Sequence, residues 1–451
     1  GTTRVPVPPD VTRPEARAGG APDSHAGSAA SGATRPEAER GGTKRAPGAD
    51  RPEATGGGTK RAPGADRAGV GAGGAGSGPV LVGFAEALAA PEAAFCLAEH
   101  GYRVVAFTRR GSRPALAASR RVEVVEVTAP EDDADACVRD IADAVERHRP
   151  VAVLPLDDHA LWACSRKDLP VPLAGPTGER ARFALDKRDQ IAAALAAGLA
   201  VPGGEGAGPW FVKPALAVVE HEGRLLRPTG ALARDEDEIE ALTARIDGPV
   251  LVQRVVSGVG EGVFGFATAS GVGAFSGHRR IRMMNPRGSG SSACRSVPVP
   301  DELRDAAERL MEGIGWRGLF MVELLRDQDG TAWFMEVNGR AWGSMALAVR
   351  RGYPYPVWAV RQALDPAFAP EPPEGPPELL CRHLGRELVH LLAVLRGASG
   401  ADAGRWPGRG ETLRAMLPRR GDRWYNWRRG EAGVFLRDTY ETVAGQIRSR
   451  T

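Results

Sequence analysis

The first 78 residues contain no Leu, Ile, Met, Phe, Trp, Tyr or Cys. Their apolar content is alanine, proline and four valines, too little to offset the entropy of folding, which predicts a disordered tail over residues 1–78. A 16-residue period runs through it, RPEAERGGTKRAPGAD at 35–50 and RPEATGGGTKRAPGAD at 51–66. Neither unit has an apolar face to stack, so a solvated tether is expected and not a solenoid. The tail holds 11 Lys and Arg against 8 Asp and Glu, an excess equal to the +3 of the whole 451-residue chain. The remainder is neutral, which leaves no field to attract nucleic acid or a membrane surface.

Other absences narrow the class. No apolar run reaches the 18 residues of a membrane span, and the first 20 residues lack the apolar core of a secretory signal. Cysteine is scarce, odd in number and widely spaced, at 96, 137, 164, 294 and 381. That usage predicts buried thiols in a reducing cytoplasm and no zinc site; Cys294 alone falls in a polar stretch, expected to be a loop. The first apolar run is followed by Gly83-Phe-Ala-Glu-Ala87 and not by GxGxxG, so a nicotinamide-type dinucleotide site is not expected. No Ser/His/Asp or Cys/His set stands out for nucleophilic catalysis.

What is present alternates. Apolar runs at Pro79–Gly83, Tyr102–Phe107, Val122–Val127 and Val151–Leu156 are separated by helical stretches at Pro91–His100 and Asp133–His148. This order predicts a doubly wound parallel sheet whose fourth strand ends in Asp157-Asp158. An alanine-rich helix is expected over 179–200, carrying Asp186-Lys187, then a strand Trp210–Pro214 with Lys213 near its end. A hairpin over Val218–Leu226 and a helix capped by Asp235 follow. Pro249–Val256 reads as a strand running into the glycine-rich Gly258–Gly265, either a phosphate cradle or a twisted turn. Helices are expected at Asp301–Gly313, Trp342–Val349, Val357–Leu364 and Leu379–Leu395, and the Trp- and Arg-rich end around Trp424–Arg429 is expected to pack on the body.

The chemistry concentrates at Leu319–Leu325 and Phe334–Ser344, two apolar runs joined by Asp327-Gln-Asp-Gly330. Setting Asp327 opposite Gly330 makes a hairpin with Phe320, Val322 and Leu324 facing Val337, Met335 and Trp333 in one apolar layer. The other layer places Glu323 opposite Phe334, Met321 opposite Glu336 and Leu319 opposite Asn338. Two carboxylates and an amide oxygen on a half-apolar face call for a hard cation or are simply solvated. Upstream, His278-Arg-Arg-Ile-Arg282 beside the Gly/Ser-rich 285–292 suits an anionic ligand or an ordinary basic strand edge.

Taken in order, Asp186-Lys187, Phe211-Val-Lys213-Pro214, Leu251-Val-Gln253-Arg-Val-Val256, Met321-Val-Glu323 and Met335-Glu-Val-Asn338-Gly-Arg340 resemble the ATP-grasp superfamily, in its carboxylate-amine ligase branch. The resemblance covers about Pro79 to Leu364. It implies an α/β pre-ATP-grasp domain at 79–177, an α+β ATP-grasp domain at 178–365 (lid 178–250, metal-binding part 251–365) and a helical, Arg-rich extension at 366–451. It implies that Lys187 and Lys213 hold ATP phosphates, Gln253 to Val256 bracket the adenine and Glu261 meets the ribose. Glu323, Glu336 and Asn338 would hold two magnesium or manganese ions. Arg282 and Arg340 would steady the carboxylate or its acyl phosphate, and Arg227–Gly230 or Gly288–Ser292 would close over the phosphates. The implied activity is amide or peptide bond formation between a carboxylate and an amine, with a homodimer as the candidate assembly. A phosphotransferase and a non-catalytic nucleotide-binding scaffold are the alternatives.

Overall fold

The structure, a computed structural model, describes residues 4–5, 78–288, 290–398 and 406–448. The expected tail and both its repeats lie outside the described residues, except for Arg4–Val5 and Gly78. Arg4–Val5 (β1) is a two-residue strand beside Val250–Leu251.

The four apolar runs build a parallel sheet from β2 (Val80–Gly83), β3 (Val104–Arg109), β4 (Val122–Val127) and β5 (Ala152–Pro155). Its order is β4-β3-β2-β5. Helices cover both faces, which is why these strands read as nearly continuous apolar runs. Strand order reverses between β2 and β5, so a crevice opens at their carboxyl ends, where Ala85–Leu88 and Asp157-Asp158 stand.

The expected helix over 179–200 is broken in two. Asp186 leaves the first helix (Gly178–Leu185) and caps the second (Lys187–Ala196) by accepting from the Arg188 backbone N–H at 2.9 Å. Lys187 therefore begins a helix. The next strands are β6 (Trp210–Pro214), the hairpin β7 (Val219–His221) and β8 (Arg224–Leu226), then β9 (Ala231–Ala233) and β10 (Val250–Arg254). Strands β10, β6 and β9 pair antiparallel, with Lys213 opposite Leu251.

Seven further strands make the largest sheet: β11 (Val259–Thr268), β12 (Gly271–Met283), β13 (Ser291–Val297), β14 (Gly318–Arg326), β15 (Ala332–Asn338), β16 (Leu380–Arg382) and β17 (Arg423–Trp424). They lie in the order β15-β14-β11-β12-β13-β16-β17. One face packs Val263, Phe320, Val322, Leu324, Phe334 and Val337 against helices Gly178–Leu185, Lys187–Ala196 and Asp301–Gly313. The other joins Phe264, Phe266, Leu319 and Met321 to Trp342, Tyr355 and Trp358, and this core continues into the parallel sheet.

Several expectations are corrected here. From Val259 on, the glycine-rich 258–265 is neither a phosphate cradle nor a turn but the start and middle of β11, an interior strand. His278–Arg282 lies inside the sheet on β12, so it is not an edge. Cys294 is buried on β13, and all five cysteines are free and buried. The stretch Leu379–Leu395 begins as strand β16 and becomes helical only from Leu384. The Trp- and Arg-rich segment does pack on the body: Arg428 pairs with Glu92 at 3.0 Å and Glu99 at 2.6 Å. Among the described residues no helix is long and apolar enough to cross a membrane.

Candidate functional site

The hairpin of β14 and β15 carries the central acids, in a register that differs from the expected one. The turn spans five residues, held by Asp327, whose carboxylate accepts from the Thr331 N–H at 2.8 Å and the Trp333 indole at 2.7 Å. Arg326 therefore faces Ala332 and Leu324 faces Phe334. A bulge then shifts the pairing again, so that Glu323 stands directly opposite Glu336 and Met321 opposite Asn338. Each irregularity alone would turn Glu336 to the other face; together they restore it. The five-residue turn puts Phe334 into the apolar layer opposite Leu324, and the bulge at Met335 returns Val337 to it opposite Val322, correcting that part of the expected pattern.

Two carboxylates opposed across a strand pair repel each other, and burial together with Glu336 holds the Glu323 carboxyl above its ordinary range despite Arg280. Cations converge on them. Lys187 Nζ lies 3.6 Å from Glu336 Oε2, and the Arg280 guanidinium contacts Glu323. Lys213, half-buried on β6, feels both acids, yet burial, with Lys187 beside it, brings its ammonium down to about 8. Buried Gln190 fixes this geometry. Its amide accepts from the Val337 N–H at 2.9 Å and donates to the Val337 carbonyl at 3.2 Å, tying the helix of Lys187 to the strand of Glu336 and Asn338.

The acids open into a cavity of about 440 Å³ between the large sheet and the crevice of the parallel sheet. Arg340 lies on its wall, held by Asp158 at 2.9 and 3.3 Å; Arg227 reaches the same carboxylate at 3.3 Å. Although burial works against it, Arg340 and Arg227 hold the Asp158 carboxyl down at about 2. His278 and Ser344 also line the cavity, joined Nδ1 to Oγ at 2.6 Å. Burial, with Arg280, pushes this imidazole down to about 3, so it is neutral at physiological pH. Arg227, Gly290 and Ser291 all line the cavity, so both stretches expected to close over it reach it.

The structure thus brings together Lys187, Lys213, Glu323, Glu336, Asn338 and Arg340. It does not bring Arg282. A bulge at Ile281 breaks the alternation of β12, and Arg282 pairs with Glu387 at 2.5 Å while Arg280 takes the place beside Glu323. Because Gly262 stands opposite Glu323, neighbouring Glu261 projects from the other face, paired with Arg326 at 2.8 Å and Arg279 at 3.6 Å. Gln253 is buried, its amide nitrogen donating to the Pro202 carbonyl at 3.2 Å, and Val256 follows the end of β10. Gln190, Arg280 and Asp158 escaped sequence reasoning as site residues. A signal existed for the first, a lone amide within the apolar pattern of an alanine-rich helix, and for the last, the acid ending a parallel strand.

Among the described residues no three His, Cys, Asp or Glu side chains cluster as a self-sufficient metal cage. Glu323, Glu336 and Asn338 nevertheless fit magnesium, a hard ion that takes few protein oxygens and completes its shell with water and phosphate.

A family model described as "ATP-grasp in the biosynthetic pathway with Ter operon" matches residues 271–381. No curated protein matches the chain in sequence. Among solved structures, pyruvate carboxylase of Rhizobium etli is similar at a TM-score of 0.51 and 18% identity, over 65% of this chain and 29% of that one. The biotin carboxylase domain of the Hydrogenobacter thermophilus 2-oxoglutarate carboxylase, solved with MgADP, ADP and bicarbonate, gives 0.49 and 15%, over 65% and 71%. The L-amino acid ligase of Bacillus licheniformis gives 0.47 and 17%, over 64% and 75%. The family model spans β12 to β16 and with them the acidic hairpin, so over residues 271–381 the chain is similar to this ATP-grasp family.

Proposed function

We propose that the protein is an ATP-dependent ligase that activates a carboxylate as an acyl phosphate and joins it to an amine, releasing ADP and phosphate. The observation that carries this reading is the Glu323–Glu336 pair, two carboxylates set face to face with Lys187 3.6 Å from one and Lys213 near enough to feel both charges. Such a pair is costly without cations and suits the phosphate end of a nucleotide. Magnesium held by Glu323, Glu336 and Asn338 would neutralise charge that develops on the transferred phosphoryl group.

The chain's own residues do the rest. Lys187 and Lys213 bind phosphate oxygens, and Gln253 and Val256 line the adenine through their backbone. Arg340, oriented by Asp158, and Arg280 hold the carboxylate in line with the phosphoryl donor, taking the role first expected of Arg282. A carboxylate is a poor electrophile because oxide is a poor leaving group. Phosphorylated, it yields phosphate when the amine attacks, and positioning with charge neutralisation supplies most of the acceleration.

The test is to supply ATP, magnesium and pools of amino acids and peptides, following ADP, phosphate and product mass. Ligase activity requires both co-substrates and yields an amide with free phosphate. Phosphate retained on a product marks a phosphotransferase, and no turnover marks a scaffold.

Two further outcomes follow. A Cβ at Gly260 would sit 2.4 Å from Arg280 Cδ, so Gly260→Ala displaces this arginine from Glu323. Loss of one charge-assisted hydrogen bond, about 1.5–3 kcal/mol, lowers kcat/KM roughly tenfold or more. The Lys213 ammonium is protonated below about 8 and neutral above, so ATP affinity falls as pH rises from 7 to 9. Lys213→Arg keeps its charge, and calorimetric titration of this variant is expected to give an ATP affinity that stays flat over that range.

A further inference from the structure

A second cavity, of about 720 Å³, adjoins the first and shares with it Glu86, Ala87, Leu88 and Arg386. Its outer wall is the C-terminal helix Ala432–Arg448, which presents Asp438, Glu441, Thr442 and Gly445. Those positions recur at i, i+3, i+4 and i+7, a single helical face. Opposite lies the loop Gly111–Ala115 that follows β3. Charges of both signs line the space, with Glu86, Asp438 and Glu441 against Arg113 and Arg386. Part of this charge is already engaged: Glu86 accepts from the Thr108 hydroxyl at 2.6 Å, Asp438 lies 3.0 Å from His383, and Glu441 lies 3.4 Å from Arg448.

Resting on the ligase reading, we propose that this outer cavity receives the amine co-substrate, and that the C-terminal helix is the wall that selects it. The inner cavity holds the acids, Arg280 and Arg340, and is filled by the activated carboxylate and the phosphates. The amine must reach the acyl carbon, and the outer cavity joins the inner one through Glu86, Ala87, Leu88 and Arg386, whereas Lys187 and Lys213 line neither. Its volume lies in the range of about 300–1,000 Å³ for ligands with a substantial body. Mixed charge favours a zwitterion, an amino acid or peptide bearing an ammonium and a carboxylate, over an apolar amine. In the bond-forming step the free amine nitrogen attacks the acyl carbon. The carbon–oxygen bond to phosphate breaks, phosphate leaves with the electron pair, and the nitrogen gives up its proton to solvent.

Gly445 offers a direct test, because a Cβ there meets nothing within 4 Å and its face borders the cavity. Gly445→Phe projects a ring from the helix face that borders the cavity, and replacing a helix-interior glycine does not weaken the helix. Hydroxylamine, an amine of two heavy atoms, serves as the probe that needs no outer cavity. Turnover of an amino-acid carboxylate pool with ATP and magnesium is measured with hydroxylamine and, separately, with dipeptide amines. We expect Gly445→Phe to keep hydroxamate formation within twofold, to raise the KM for dipeptide amines at least tenfold, and to leave the KM for the carboxylate unchanged. Equal KM for the amine in both proteins overturns the assignment while the ligase reading stands. Equal loss with hydroxylamine overturns it too, and Gly445→Ala then reports whether the helix itself was disturbed. Absence of hydroxamate from the unaltered protein removes the ligase reading and this inference with it.

Discussion

Glu336→Gln is expected to lower ADP formation by roughly a thousandfold or more while leaving the melting temperature within a few degrees of the parent. The residue stands opposite Glu323, 3.6 Å from Lys187, and the Asn338 amide donates towards it at 3.5 Å. Glutamine keeps the volume and one acceptor oxygen but removes the negative charge that balances Lys187 and would hold a cation. It also relieves the repulsion with Glu323, so the fold has no reason to suffer. Full activity would remove the carboxylate pair from the catalytic account. Loss of activity together with unfolding would make the residue a structural one.

The second large effect is on stability. Glu387 is fully buried and takes Arg282 at 2.5 Å, Arg382 at 2.8 Å and the Ser292 hydroxyl at 2.7 Å. Arg382 is itself buried and completes its bonding with Asp422 at 3.0 Å and the Met416 carbonyl at 2.5 Å. Glu387→Ala strips Arg282 of its counter-ion and leaves Arg382 with Asp422 alone in a nearly dry place, which costs about 3–5 kcal/mol. Thermal unfolding should fall by several degrees, and Glu387→Gln, which keeps the hydrogen bonds without the charge, should recover part of the loss. An unchanged melting temperature would show that water reaches the arginines. The same site takes up Arg282, while Arg280 pairs with Glu323.

The parallel sheet was legible because strands buried on both faces must be continuous apolar runs, and each of the four appears within two residues of its expected bounds. The cap at Asp235 and the helix Asp301–Gly313 are legible for equally local reasons, a short acceptor side chain and a 3.6-residue apolar stripe. The acidic hairpin was half legible. Its residues were named, but its facing pairs were wrong because two one-residue irregularities, in the turn and at the bulge, cancel in parity and leave no mark in composition. Sequence alone does not separate Arg280 from Arg282 for the same kind of reason, since a bulge at Ile281 decides which guanidinium meets Glu323. What could not be read at all is long-range pairing. Gln190 meets Val337 from 147 residues away and Asp158 meets Arg340 from 182, and nothing local announces either.

The acyl phosphate is the centre of the account, and the fate of the carboxylate oxygen tests it most directly. An amino-acid pool labelled with oxygen-18 in its carboxyl groups, incubated with the protein, ATP, magnesium and dipeptide amines, yields phosphate for mass analysis. If the carboxylate is phosphorylated before the amine attacks, the bridging oxygen departs with phosphorus, and each released phosphate carries one labelled atom. Phosphate released without label would contradict the acyl phosphate, whatever product accompanies it.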